Sequence, residues 1–313
     1  MKVFFSFLNL FNQNKTSSFS DNYQFKITLQ SYSFATSNKI IDMLSEIIWN
    51  IGPDIFSLDI PVLGTLTIRW YGLLFASAFL VGQFIMFRIF KAEGKPESDV
   101  EAMTLYMIIA TLLGARLGHC LFYQPDYYLA HPLEILKVWE GGLASHGATI
   151  GILLGIYLYR RGRADQSYLW VLDRIVIVVA LGGAFIRMGN LFNSEIIGKP
   201  TDVAWGFVFT RLGEDFARHP AQLYEAISCV FLFLLLYGLW NKEKSKMPEG
   251  RLFGIFVVVL FTLRIVYEFF KENQVEFENS LALNMGQILS IPMVLVGLVV
   301  LLMSFKKKTP SAN

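Results

Sequence analysis

Three arginines interrupt apolar stretches of this chain, each among other polar side chains: Arg116 in "GARLGHCLFY", Arg187 in "RMGNLFNSEIIG" and Arg264 in "LRIVYEFFK". A guanidinium stays charged at any working pH, and its planar fork matches a phosphate or carboxylate through paired hydrogen bonds. Together the three point to an anion-binding site, with Lys271 as an added point charge. Glu268 follows Arg264 by one helical turn and Glu195 lies close after Arg187, so each arginine has a second reading as an ion pair that pins helices. His146 stands in the glycine-rich run "GGLASHGATIG". An imidazole held neutral beside arginines can accept a proton near physiological pH, so His146 reads either as a general base or as a hydrogen-bonded packing residue. Tyr71, Asn190, Asn193, Gln222, Tyr224, Glu225, Asn284 and Gln287 complete the polar set. The two cysteines, Cys120 and Cys229, lie in apolar runs, which argues against a disulfide framework and against Cys/His metal spacing.

The elements that must position these residues are membrane-spanning. Hydrophobic residues make up 54% of the 313 and charged residues only 17%. Seven apolar blocks, at roughly 68–90, 102–123, 142–160, 170–192, 222–240, 252–270 and 284–305, approach the ~20 residues that a crossing helix needs. The expected fold is an all-α polytopic membrane protein with seven transmembrane helices and a small periplasmic loop region between the fourth and fifth. No internal repeat is detectable. Basic residues gather after the first, third, fifth and seventh blocks: Arg88, Lys91 and Lys95; Arg160, Arg161 and Arg163; Lys242, Lys244, Lys246 and Arg251; Lys306, Lys307 and Lys308. By the positive-inside rule the N-terminus is outside and the C-terminus cytoplasmic. With the helix directions assigned, every block delivers its polar residues to the outer half of the bilayer, and the inner halves read as nearly plain hydrocarbon. Intramembrane ionisable groups are costly and mark function by default, so this convergence predicts one polar cavity open to the outer leaflet. A net charge of +2 offers no basic field for nucleic acid. Residues 1–46 carry only a weak signal-like stretch and read as a variable or untranslated extension, with Met43 an alternative start. Residues 47–305 form the seven-helix domain, and 306–313 a basic cytoplasmic tail.

These blocks also match a family. "RMGNLFNSEIIGKPT", "WEGGLASHGATIG", "RHPAQLYEA", "LRIVYEFFK" and "NMGQILSIPM", in that order and after "IRWYGLLF", resemble prolipoprotein diacylglyceryl transferase, a bacterial inner-membrane enzyme. The resemblance covers about 47–305. It implies transfer of the diacylglyceryl group of phosphatidylglycerol to the lipobox cysteine of prolipoprotein signal peptides, forming a thioether and releasing glycerol 1-phosphate, with no cofactor and no metal. By position it implies that Arg187 and Arg264 hold the lipid phosphate and that Asn190 and Gly198 are signature residues. It puts His146 at the base position, Tyr71 at the outer-end tyrosine and Glu268 at the acid one turn after Arg264. Arg116 joins the lipid-binding set from its place in the outer half. Ala148, Ser194, Leu260 and Lys271 depart from the family pattern, and the last two bear on contacts to the headgroup. Two other classes compete: an anion transporter or channel, which would continue its polar residues into the inner half, and a non-catalytic lipid-binding subunit, which would have no use for His146.

Overall fold

A computed structural model describes residues 47–60, 64–137, 142, 144–272 and 281–306. The expected N-terminal extension, Gly141, Lys307 and Lys308 lie outside the described residues. Seven long helices follow one another: α1 (Trp70–Ala92), α2 (Glu97–Phe122), α3 (Ser145–Arg160), α4 (Tyr168–Phe192), α5 (Ala221–Glu243), α6 (Arg251–Tyr267) and α7 (Met285–Lys306). Each lies within a few residues of one expected block. Five of them, α1, α2, α4, α5 and α7, are long and apolar enough to cross a membrane. The other two, α3 with 16 residues and α6 with 17, rise only about 24–26 Å at 1.5 Å per residue. The chain is thus a mostly helical polytopic membrane protein.

It is not all-α, which corrects the expectation. Strands β2 (Asp54–Ile60) and β3 (Gly64–Arg69) pair antiparallel ahead of α1. Phe56 opposes Ile68 and Leu58 opposes Leu66, an alternation of period two that ends where α1 begins at Trp70. Strand β1 (Ile47–Trp49) lies parallel to β4 (Phe207–Phe209), which pairs antiparallel with β5 (Ala217–Arg218). The segment between α4 and α5, expected as a loop region, is therefore built on a small sheet. Trp49 ties it down, stacking on Phe207 with ring centroids 5.4 Å apart and donating Nε1–H to the carbonyl of Leu191 at 3.1 Å.

Helix α4 is the hub, with both ends in polar company. A Cβ on Gly82 of α1 would meet Val178 of α4, and one on Gly183 of α4 would meet Cys229 of α5. The tightest pair is α2 with α3. A Cβ on Gly147 would strike the Gly114 carbonyl oxygen and lie 2.7 Å from Gly118 Cα. Only bare backbone fits there, and small residues of this kind let membrane helices approach closely.

The helix ends remote from Arg187 and Arg264, expected as nearly plain hydrocarbon, carry buried charges. Arg174, fully buried near the start of α4, is bracketed by Glu93, whose carboxylate accepts from Arg174 Nη2 at 2.9 Å, Trp170 Nε1 at 2.9 Å and Trp240 Nε1 at 2.7 Å. Its neighbour Asp173 accepts the backbone N–H of Gly250 at 2.7 Å and of Phe253 at 2.8 Å, capping α6 from a different helix. These charges lie close to loops and apolar neighbours in sequence, so the sequence reading passed over them. Most of their polar atoms are spent on one another, while Arg174 Nη1 is buried without a hydrogen bond, 3.8 Å from Asp173.

Candidate active site

The C-terminal end of α4 carries Arg187 and Asn190 three residues apart, on one face. Arg187 pairs through Nε with Glu225 of α5, and its Nη1 donates to Asn190 Oδ1 at 3.3 Å. Asn190 passes the order on, donating Nδ2–H to Glu195 at 2.7 Å, and Asn193 donates to the same oxygen at 3.2 Å. Glu195 itself is fixed by Gln222 of α5, which donates to its backbone carbonyl at 2.7 Å. The sequence reading offered Glu195 as the partner of Arg187; the structure gives that role to Glu225.

Arg264, in the last turn of α6, is exposed and touches Glu268 only at 3.8 Å. Glu268 is engaged elsewhere, accepting from Lys271 Nζ at 3.1 Å and Asn284 Nδ2 at 3.0 Å. Arg187 and Arg264 meet in one cavity of about 110 Å³, lined also by Glu225, Ser228, Cys229 and Tyr267 and by the apolar Leu232, Leu260, Phe261 and Leu263. A hydrogen bond between the hydroxyls of Ser228 and Tyr267 crosses from α5 to α6 at its wall.

Lys271 does not offer a free charge. It is 4% exposed, and its ammonium is held between Glu225 and Glu268. Gly198 is also no open cradle. It pairs with Lys271 as an antiparallel bridge, its N–H donates to the His219 carbonyl at 3.1 Å, and a Cβ there would lie 2.9 Å from the Phe270 carbonyl oxygen. Gly198 thus presses the α4–α5 connection onto the end of α6. Tyr71 lies over Gly189, whose Cβ would stand 2.7 Å from Tyr71 Cδ2, and feels the charges of Glu195 and Arg187.

Arg116 and His146 stand apart from this cavity, whose lining includes neither. Arg116 is buried, donates to the carbonyls of Ile135 at 3.0 Å and Glu134 at 2.6 Å, and lies 5.1 Å from the Tyr128 ring. It fixes the segment between α2 and α3. His146, in the first turn of α3, is exposed and makes no hydrogen bond with the described residues. Its neighbour Gly147 faces α2, so the imidazole is carried on a helix locked in place one residue away. Glu225 and Lys271 are the site residues that sequence reasoning undervalued. The signal was present, an acid and a base at helix ends rich in polar residues, but both of Lys271's partners sit on other elements or across a turn.

Comparison with known proteins gives a consistent result. A family model described as prolipoprotein diacylglyceryl transferase matches residues 60–303. The chain is 49% identical over 270 residues to a Chloroherpeton thalassium protein named phosphatidylglycerol–prolipoprotein diacylglyceryl transferase, covering 85% of this chain and 97% of that protein. It is 47% identical over 260 residues to a Tolumonas auensis protein of the same name, covering 83% and 98%. A Bacteroides fragilis protein, again of that name, is 42% identical over 280 residues, covering 86% and 99%.

Proposed function

The chain belongs to the prolipoprotein diacylglyceryl transferase family, and from that premise we propose that the cavity between Arg187 and Arg264 is where its reaction runs. The activity is transfer of the diacylglyceryl group of phosphatidylglycerol to the cysteine thiol of a prolipoprotein, forming a thioether and releasing glycerol 1-phosphate. The observation that carries the assignment is that two arginines from different helices line one small cavity with apolar walls.

The chemistry explains why such a cavity serves. The thiolate attacks the glyceryl carbon, the carbon–oxygen bond breaks, and its electron pair goes to the phosphate oxygen. The phosphate thus gains negative charge as the bond opens. Fixed guanidinium groups in a water-poor site favour that developing charge most strongly. Arg187 spends Nε on Glu225 and Nη1 on Asn190, which leaves Nη2 without a hydrogen bond among the described residues. Arg264 keeps its donors clear of hydrogen bonds to the described residues. Asn190 aims Arg187, Glu268 stands behind Arg264, and Tyr71 closes the outer end. Gly198 acts by allowing the backbone contact that seats Lys271, and Arg116 by holding the segment that leads into α3, away from the phosphate. His146 lies outside the cavity lining, so as the base it takes the thiol proton from the arriving cysteine before the thiolate enters; it is exposed and has no hydrogen bond with the described residues.

The finer topology follows the same reading. All seven helices cross, α3 and α6 with the help of their flanking segments, against a hydrocarbon core of ~30 Å. The N-terminus lies outside and the C-terminus in the cytoplasm of a bacterial inner membrane. The site then opens to the periplasmic leaflet, where a prolipoprotein signal peptide arrives with its lipobox cysteine. Residues 47–305 form the catalytic domain.

The test is substitution of each arginine by lysine, with phosphatidylglycerol and a lipobox peptide as substrates and mass measurement of the adduct. Arg187→Lys and Arg264→Lys keep the charge and lose the fork, and each should lower activity by about 10²-fold or more. Both proteins should remain inserted and folded in detergent. Loss of either to degradation would assign that arginine to helix pinning instead.

A further inference from the structure

The two arginines of the cavity are joined by an unbroken chain of opposite charges. Arg187 pairs with Glu225, Glu225 with Lys271, Lys271 with Glu268, and Glu268 lies 3.8 Å from Arg264. Each carboxylate is shared between two cations, one on either side. Lys271 is the middle link and the most deeply buried, with 5% of its side chain exposed, against 28% for Arg187 and 43% for Arg264. The chain crosses α4, α5, α6 and the segment after α6, and the Gly198–Lys271 bridge anchors its centre to the α4–α5 connection. Asn284, at the start of α7, holds the second Glu268 oxygen at 3.0 Å.

We infer that Lys271 and Glu225 are positioning residues: they set the separation and the residual charge of the two arginines that receive the lipid phosphate. This rests on the reading of Arg187 and Arg264 given above. Two guanidinium groups lining one cavity repel each other while it is empty, and each is drawn toward the nearest carboxylate. With Lys271 in place, each glutamate divides its charge between an arginine and the ammonium, so neither arginine is fully neutralised. Three cations against two carboxylates leave one net positive charge to meet the phosphate. Without Lys271, each glutamate would belong to one arginine alone. The chain would then be neutral, and the arginines would fold back onto their partners. Burial of an ammonium is costly unless it is paired and hydrogen-bonded, and here two carboxylates meet that need.

The experiment measures kcat and KM for phosphatidylglycerol, with the lipobox peptide saturating, in Lys271→Met and Lys271→Arg of the full chain in detergent or vesicles. Lys271→Met should raise KM at least tenfold, with a smaller fall in kcat, while Lys271→Arg should stay within a few-fold of the parent on both. A Lys271→Met protein with lowered thermal stability but unchanged KM would overturn the inference, since a merely structural lysine predicts that result. If Lys271→Met does not fold, the paired variant Glu225→Gln with Lys271→Gln takes its place. It keeps hydrogen-bonding groups at both positions and removes one charge of each sign, so the net charge stays at one positive and the variant tests the placement of the arginines. A raised KM there supports the inference, and an unchanged KM overturns it. If Arg187→Lys and Arg264→Lys lose activity while the Lys271 variants do not, only this inference fails. If the arginine variants are fully active, the assignment of the cavity fails with it.

Discussion

Glu225 and His146 mark the two extremes of what a residue shows on its own. His146 is legible because its chemistry is its own: one imidazole in a glycine-rich run, exposed and with no hydrogen bond to the described residues. Its role is open to a direct check. His146→Gln keeps size and hydrogen bonding but cannot take a proton, so transferase activity should fall by roughly 10²–10⁴-fold near neutral pH. The loss should shrink as pH rises past about 8.5, where an unperturbed cysteine ionises unaided. Equal impairment at every pH, together with weakened phosphatidylglycerol binding, would make His146 a pocket-shaping residue. Glu225 is the opposite case. Its chemistry is relational, since it matters through Arg187 on α4 and Lys271 beyond α6, and neither is near it in sequence. Residue types announced an anion site, but which carboxylate faces which cation depends on helix packing. For the same reason Arg116 was grouped with the other arginines, whereas its guanidinium is committed to backbone carbonyls of a neighbouring loop.

The helices were the most legible elements, because a long apolar run has one low-energy solution in lipid, the internally hydrogen-bonded helix. The strands were not. Segment β2–β3 alternates for only a few residues and runs straight into α1, so its end was absorbed into the expected first helix. The pairing of β1 with β4 joins residues far apart in sequence, which no local pattern carries. The α2–α3 contact lies between these cases: its glycines were visible, but their interlock was not. Gly147→Val should separate the two helices, because even a Cβ would strike the Gly114 carbonyl and Gly118 Cα. We expect a loss of thermal stability in detergent of a few kcal/mol, in the range of overpacked cores, and a drop in activity from displacement of His146. A Gly147→Val protein as stable as the parent would mean that α2 and α3 yield more easily than this interlock implies.

Across the whole molecule, polar order sits at two levels, with α4 passing through both. The level at the start of α4 has a structural part to play. Glu93→Gln would remove the carboxylate that Arg174 pairs with at 2.9 Å and leave it only Asp173 at 3.8 Å, and breaking a buried pair from one side costs about 3–5 kcal/mol. Thermal stability should fall by that order, while KM for phosphatidylglycerol in the folded protein stays unchanged. Replacing both partners, as Glu93→Met with Arg174→Met, should recover much of the loss, and failure to recover it would show that the surrounding indoles depend on the charges. The level at the end of α4 has a different consequence, which comes from the walls of its cavity. Leu232, Leu260, Phe261 and Leu263 surround the two arginines with hydrocarbon. In the proposed reaction, the glyceryl carbon that meets a thiolate there also meets any water that enters, and attack by water would release the lipid as free diacylglycerol. A site that draws the phosphate in among leucines rations the competing nucleophile. On that proposal, fidelity of lipid use depends on how little water accompanies the phosphate, and the ratio of peptide adduct to free diacylglycerol measures it.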